Sequence, residues 1–596
     1  MQLRLMQLRS MLLRLKAASA TKVALMSLLL CCFVALRVEA AERLQVIIQG
    51  VEGELESNVR LHLSLAQLTD EQPLPSATRI RYLHGRAEQE VDAALYPLGY
   101  FNSRVDAELV QTEEGWRASY TIDPGPRATI GRSELSLSGA GAGDPRFKAW
   151  QRNPALQPDA PLDQQAYESI KSELLERAAG LGYYDAQFTD AQILVDRPRN
   201  SADIRLAFET GPLYRLSEIR FNEAPIKEAL LQRYRTLDDG EPVATEQLLE
   251  MQRGLVDSGY FSGVEVQPLW DQADDRHRVP VQVYLTPDQR TAYRFGAGYG
   301  TDTGARLSAS QRRRWVNDRG HRMETILRLS EVTNTLLLNY EIPGARPVSD
   351  TYLMRTSYEQ EATDSTDSET WSVGAQDQRS RGNQSWRWGL GLEQETFRFG
   401  SVEESTMLLV PEAGWSMVET DNRLDPRRGY RLSAELSAAS ESLLSDTSFV
   451  QAEVSGKAVY SLTSKMRLLT RLDLGATAAT DFNQMPASRR FFAGGDHSVR
   501  GYVYKELGPT DSDGEVRGGR YLIAGSMEVD YRVAEKWRGA LFWDIGNAFD
   551  SPSTPLKNSA GIGGRWQSPV GPVRVDLAKK LDDGGFRIHF TLGPDL

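Results

Sequence analysis

The chain has 596 residues, too many for one hydrophobic core, so at least two structural units are expected. It carries 81 acids against 69 bases, and its net charge of −12 argues against a nucleic-acid binder. A mean hydropathy of −0.43 ordinarily means a soluble protein, but the inference fails for a membrane barrel, whose strands are apolar only at every second position.

The N-terminus places Arg4, Arg9, Arg14, Lys16 and Lys22 before an apolar run from Val23 to Leu36, followed by Val38-Glu39-Ala40 as a small-residue cleavage site. This pattern reads as a signal peptide over residues 1–40, with a run too short to span a bilayer comfortably. Cleavage after Ala41 and a start at Met6 are alternatives. Cys31 and Cys32 lie in the apolar run, and Leu30 is not the small residue that a lipoprotein site needs. The mature chain is therefore expected to be acidic and without cysteine, disulfide or thiolate chemistry. No later run of about 18 apolar residues appears, so a mature protein held in a membrane must be held there by a closed barrel.

A unit of an apolar strand, helical patterns and two alternating strands then recurs three times. Its marker is Gly99-Tyr100-Phe101, Gly182-Tyr183-Tyr184 and Gly259-Tyr260-Phe261, about 80 residues apart. Helix-spaced apolar residues precede each marker: Val91, Ala94, Leu95 and Leu98; Tyr167, Ile170, Leu174, Ala178 and Leu181; Leu248, Met251 and Leu255. The glycine sits where a helix takes a left-handed C-terminal residue, and the aromatics are expected to open the next strand. Alternation follows in Trp116, Ala118, Tyr120 and Ile122, and in Val279, Val281, Val283 and Leu285. Pro124-Gly125-Pro126, Gly211-Pro212 and Thr286-Pro287 close the units. This β-α-α-β-β order resembles the polypeptide-transport-associated (POTRA) module, and the resemblance implies sheet edges offered to incoming chains. Generic α+β spacers with structural tyrosines are the alternative. The expected modules span residues 41–126, 127–212 and 213–288.

From about Thr291 the texture becomes long alternating segments separated by Gly, Asn and Asp. Val450, Ala452, Val454, Ala458 and Tyr460 share one face, with Gln451, Glu453, Ser455 and Lys457 on the other. Tyr430, Leu432, Ala434 and Leu436 alternate with Arg431, Ser433 and Glu435, and Met466, Leu468 and Leu472 with Arg467, Arg471 and Asp473. Charges of both signs on the second face imply a wet lumen. Residues 289–596 are thus expected to form a membrane β-barrel of about 16 antiparallel strands, preceded by the three α+β modules. The first barrel strand places Gly296, Gly298 and Gly300 on one face and Phe295 and Tyr299 on the other. The last has Phe586, Ile588, Phe590 and Leu592 alternating with Arg587 and His589, and is expected to close the barrel against the first. Glycines weaken a strand, which suits a seam that opens. The chain then ends Gly593-Pro594-Asp595-Leu596.

The most specific stretch runs from Arg490 to Tyr502, RFFAGGDHSVRGY. It resembles the outer-membrane protein assembly superfamily of BamA, TamA and the two-partner secretion transporters, whose sixth extracellular loop folds into the lumen and carries a Val-Arg-Gly-Tyr tetrapeptide. Val499, Arg500, Gly501 and Tyr502 match it in full. A second motif, aromatic-Asp followed by Gly, stands here as Phe542-Trp543-Asp544-Ile545-Gly546, and a third runs from Gly563 to Asp576. The resemblance implies that Arg500 meets Asp544 inside the barrel, either as a lock that moves or as a static tie. A guanidinium suits such a site because its planar fork matches a carboxylate, while Gly501 and Gly546 allow close approach.

His62, His84, His277, His321, His497 and His589 show no metal-ligand spacing, no Gly-x-Ser-x-Gly elbow occurs, and no catalytic residue, metal or cofactor is expected. Three modules fit the TamA-like branch. That branch implies an outer-membrane barrel with periplasmic modules, a TamB-type periplasm-spanning partner, contact with membrane lipid, and autotransporter-like clients inserted through the seam. A passive channel or adhesin, or a two-partner-secretion-type transporter, is the alternative.

Overall fold

The computed structural model describes residues 43–596 except 70–73, 114, 364–365, 400–401, 424, 513, 569–570 and 593–596. The expected signal segment with Cys31 and Cys32, the ending from Gly593 to Leu596, Pro569 and Val570 of the third motif, and the Leu592 side chain lie outside what is described.

In the first module β1 (Arg43–Gln49) runs parallel to β3 (Gly115–Asp123), which pairs antiparallel with β2 (Arg104–Thr112). Trp116, Ala118, Tyr120 and Ile122 alternate inward on the central strand. They pack on Val59 of α1 (Glu54–His62), Ile80 of α2 (Ala77–His84), and Val91, Ala94 and Leu95 of α3 (Ala87–Leu95). This module has three helices where two were expected, because Ser76 Oγ accepts the Arg79 N–H and caps the extra helix.

The second module holds β4 (Thr129–Ser138), α4 (Pro145–Lys148), α5 (Gln164–Gly180), β5 (Gln187–Asp196) and β6 (Ser201–Glu209), in sheet order β4-β6-β5. The third holds β7 (Arg215–Phe221), α6 (Glu228–Leu231), α7 (Thr245–Asp257), β8 (Phe261–Pro268) and β9 (Arg278–Pro287), in order β7-β9-β8. Gly99, Gly182 and Gly259 each have positive φ (89°, 94° and 71°), the left-handed geometry that a side chain would resist.

The aromatics after these glycines open a strand only in the third module, at Phe261. Phe101 and Tyr184 each precede their strand by three residues. In the first two modules the backbone at the glycine is used elsewhere: Ala128 N–H donates to Gly99 O at 2.8 Å and Tyr214 N–H to Gly182 O at 2.9 Å, tying the segment to the exit linker.

Sixteen antiparallel barrel strands follow among the described residues, from β10 (Thr291–Gly300) to β25 (Phe586–Leu592), each paired with its sequence neighbours. Their outward positions are apolar, as with Val450, Val454 and Tyr460, while Gln451 between them is buried inside. The expected closing ladder between first and last strands is not formed among the described residues. β25 is a strand for seven residues against ten in β10, and among the described residues Phe590 N–H donates to Thr301 Oγ1 of the first hairpin at 2.7 Å.

The third module packs on the barrel's short turns. Tyr260 Oη donates to Gly320 O at 2.6 Å, Lys227 pairs with Asp318 at 2.9 Å, and the Arg322 guanidinium lies over the Tyr260 ring at 5.9 Å.

Candidate functional site

Residues 480–520 link β20 (Met466–Ala479) to β21 (Tyr521–Ala534) as a long loop folded into the barrel. The loop holds its own shape. Phe491 pairs with Gly519 and Ala493 with Leu507, while Ala493, Val499, Tyr502 and Leu507 form a small apolar core. Arg490 is buried near the Phe397, Phe399 and Phe482 rings and donates to Met485 O and Asn483 O.

At the loop tip Arg500 is 7% exposed and Asp544, on β22 (Trp537–Phe549), is fully buried. The structure brings them together as a fork on a carboxylate: Arg500 Nε and Nη2 donate to Asp544 Oδ2 and Oδ1, both at 2.8 Å. Asp544 Oδ2 also accepts the Arg500 backbone N–H at 3.1 Å. Arg500 Nη1 donates to Glu528 of β21 and to Asp576 of β24 (Gly571–Lys580), each at 2.9 Å. The guanidinium lies 3.5 Å from the Phe542 ring centroid. Charge-assisted, geometrically paired bonds of this kind are about twice as strong as neutral ones, and the cation gains further from the ring face. Arg565, on β23 (Lys557–Ser568), braces the same acids, donating to Glu528 at 3.0 and 2.8 Å and to Asp576 at 2.5 Å.

The flanking residues fit this tie. Val499 is fully buried, and a Cβ on Gly546 would come within 3.0 Å of Val499 Cγ2 and 2.6 Å of Ile523 O, so only glycine lets loop and wall approach. Gly501 N–H donates to His589 Nε2 at 2.7 Å. The Tyr502 hydroxyl donates to Asp582 at 3.2 Å, with Lys580 Nζ 4.5 Å from its ring.

The expected seam residues divide between two environments. Phe295 and Ile588 are 82% and 61% exposed on the outer face, with Phe586 beside them, while Phe590 is half-buried and contributes its N–H to the Thr301 contact. A Cβ on Gly298 would make ordinary contact with Arg306 Nη2 at 3.7 Å, while one on Gly300 would press on Thr303 Oγ1 at 3.0 Å and one on Gly296 on Ser308 Oγ at 2.6 Å. Sequence reading missed Ser526 and Glu528 as partners of Arg500. Their signal was present in the alternation of Ser526, Glu528 and Asp530 with Met527, Val529 and Tyr531. It also missed Asp302 and Asp496, which gather at His589.

Charged lumen, apolar outer face, inward loop and small N-terminal modules define an outer-membrane β-barrel with periplasmic POTRA-like domains. Residues 346–595 match the Omp85 superfamily domain and residues 45–124 match the POTRA domain TamA domain 1. It is similar to outer membrane protein assembly factor BamA of Nitratidesulfovibrio vulgaris, 21% identical over 533 residues, covering 83% of this chain and 66% of that protein. The BamA of Neisseria meningitidis serogroup B is 23% identical over 576 residues, with 83% and 70% covered. The chain thus spans about two thirds of the length of these relatives. The crystal structure of BamA from Haemophilus ducreyi lacking POTRA domains 1–3 shares the fold, with a TM-score of 0.67 at 16% identity over 78% of this chain and 99% of that one.

Proposed function

We propose that this protein inserts or translocates other proteins at the outer membrane, using the boundary between β10 and β25 as a lateral seam and the periplasmic modules as partner contacts. The observation that carries the reading is the combination of a first and a last strand that share no ladder among the described residues and a lumen occupied by a loop tied through Arg500. An edge strand is a template for another strand, and client folding supplies the driving force without nucleotide. The loop-filled lumen weighs against a passive channel. The match of residues 45–124 to a TamA-type module supports autotransporter-like clients and a TamB-type periplasm-spanning partner docking on the modules.

Reconstitution tests this. Liposomes carrying the purified protein should speed the folding of an unfolded autotransporter barrel over empty liposomes. Equal rates, with high and steady conductance, would favour the channel.

A further inference from the structure

We propose that residues 495–501 of the long loop are a clasp that joins both sides of the seam, so that the loop holds β10 and β25 to each other where no strand ladder joins them among the described residues. The inference deepens the proposed function and rests on it only for why the seam opens.

Three segments far apart in sequence converge on one short stretch of loop. From the first hairpin, Asp302 Oδ2 accepts the Asp496 backbone N–H at 2.6 Å. From the last strand, buried His589 bridges two loop residues: its Nε2 accepts the Gly501 N–H at 2.7 Å and its Nδ1 faces Asp496 Oδ1 at 2.5 Å. The ring of contacts closes where Phe590 N–H donates to Thr301 Oγ1, next to Asp302.

The backbone of the loop is built for this approach. Gly495 has φ +101°, and a Cβ there would sit 2.5 Å from Asp302 Oδ2, on the carboxylate that seats the loop. Ligand atoms of Asp302, Asp496 and His589 lie within 4.8 Å of one another, a spacing that would also draw attention as a metal site. The hydrogen bonds decide otherwise. With Nε2 occupied by the Gly501 N–H, the neutral imidazole carries its proton on Nδ1, so a proton and not a cation joins His589 to Asp496.

The clasp is also releasable. Asp302 Oδ1 and Thr303 Oγ1 are buried without a hydrogen-bond partner among the described residues. Water reaching the turn on opening would satisfy both atoms and offset part of what the broken contacts lose. Asp302, Asp496 and His589 are therefore positioning residues for the seam, distinct from the Arg500 tie to the wall.

Spin labels on cysteines introduced at Phe295 and Ile588, both on the outer face, report the seam in full-length protein in nanodiscs. Residues 43–596 contain no native cysteine to interfere. Pulsed distance measurements on Asp302→Ala, Asp496→Ala and His589→Phe should show the separated fraction rise about fivefold or more, the change expected for losing one net hydrogen bond. Lys505→Met, which removes the loop's ion pair with Glu361 at 2.6 Å, should leave the distribution as in the parent. Heat-modifiable gel mobility identifies folded barrels. Should His589→Phe not fold, the two Ala variants decide, since each truncates a side chain outside the barrel strands. An unchanged distribution in the folded variants, or an equal shift in Lys505→Met, overturns the clasp. No client is present, so failure here is separate from failure of the assembly reading, which client folding in liposomes decides.

Discussion

Replacing Arg500 with alanine removes the cation from a buried cluster in which it and Arg565 face Asp544, Glu528 and Asp576. Glu528 and Asp576 retain Arg565, and Asp544 retains the Ser526 hydroxyl at 2.6 Å, so the loss falls mainly on the fully buried Asp544. An uncompensated buried charge of this kind costs about 3–5 kcal/mol, which shifts loop docking by about a hundred- to several-thousand-fold. Asp544→Ala should cost less, about 1–2 kcal/mol, because Arg500 keeps its ion pairs with Glu528 and Asp576. The double variant Arg500→Ala/Asp544→Ala should be milder than Arg500→Ala alone. Hydrogen exchange of residues 490–505 in the folded, detergent-held protein reads each step. Two single effects that simply add in the double variant would refute the coupled network, and so would an Asp544→Ala effect as large as that of Arg500→Ala.

Gly546→Ala should loosen the loop without removing any charge, since its Cβ would meet Ile523 O at 2.6 Å; faster protease cleavage within residues 490–505 checks this. Tyr260→Phe leaves Gly320 O without its buried donor and should weaken the joint between third module and barrel by about 1–2 kcal/mol, read as faster exchange over residues 317–321. In the first module, burial pushes the His84 imidazole below its ordinary pKa of 6.5. Its contribution to stability is therefore present above that value and is lost as pH falls through 6.5 towards the folded-state pKa. NMR titration should show His84 titrating below the ordinary value, and a normal or raised midpoint would contradict the assignment.

The barrel was legible because membrane strands obey a strict period of two, so Val450, Val454 and Tyr460 declare the outer face against Gln451 and Glu453. The Gly-Tyr-aromatic repeats located the modules because a left-handed residue must end each helical stretch. They misplaced two strand starts, because hydrogen bonds from the linkers to Gly99 and Gly182 cannot be read from local spacing. The contact of Arg500 with Asp544 was accessible only through motif resemblance. Glu528, Asp302 and His589 reach the loop from positions 28, 198 and 89 residues away from Arg500 in sequence, and a long-range pairing of this kind leaves no local periodicity. That β10 and β25 share no ladder among the described residues was not legible either, since nothing in the alternation of either strand distinguishes a paired edge from an unpaired one.

The most direct test of the account joins β10 to β25 through introduced cysteines and a reducible cross-link in liposome-held protein, then follows insertion of an autotransporter-like client. Cross-linking should bring insertion down to the level of empty liposomes, and reduction should restore it. Undiminished insertion through a covalently shut seam would contradict the central claim.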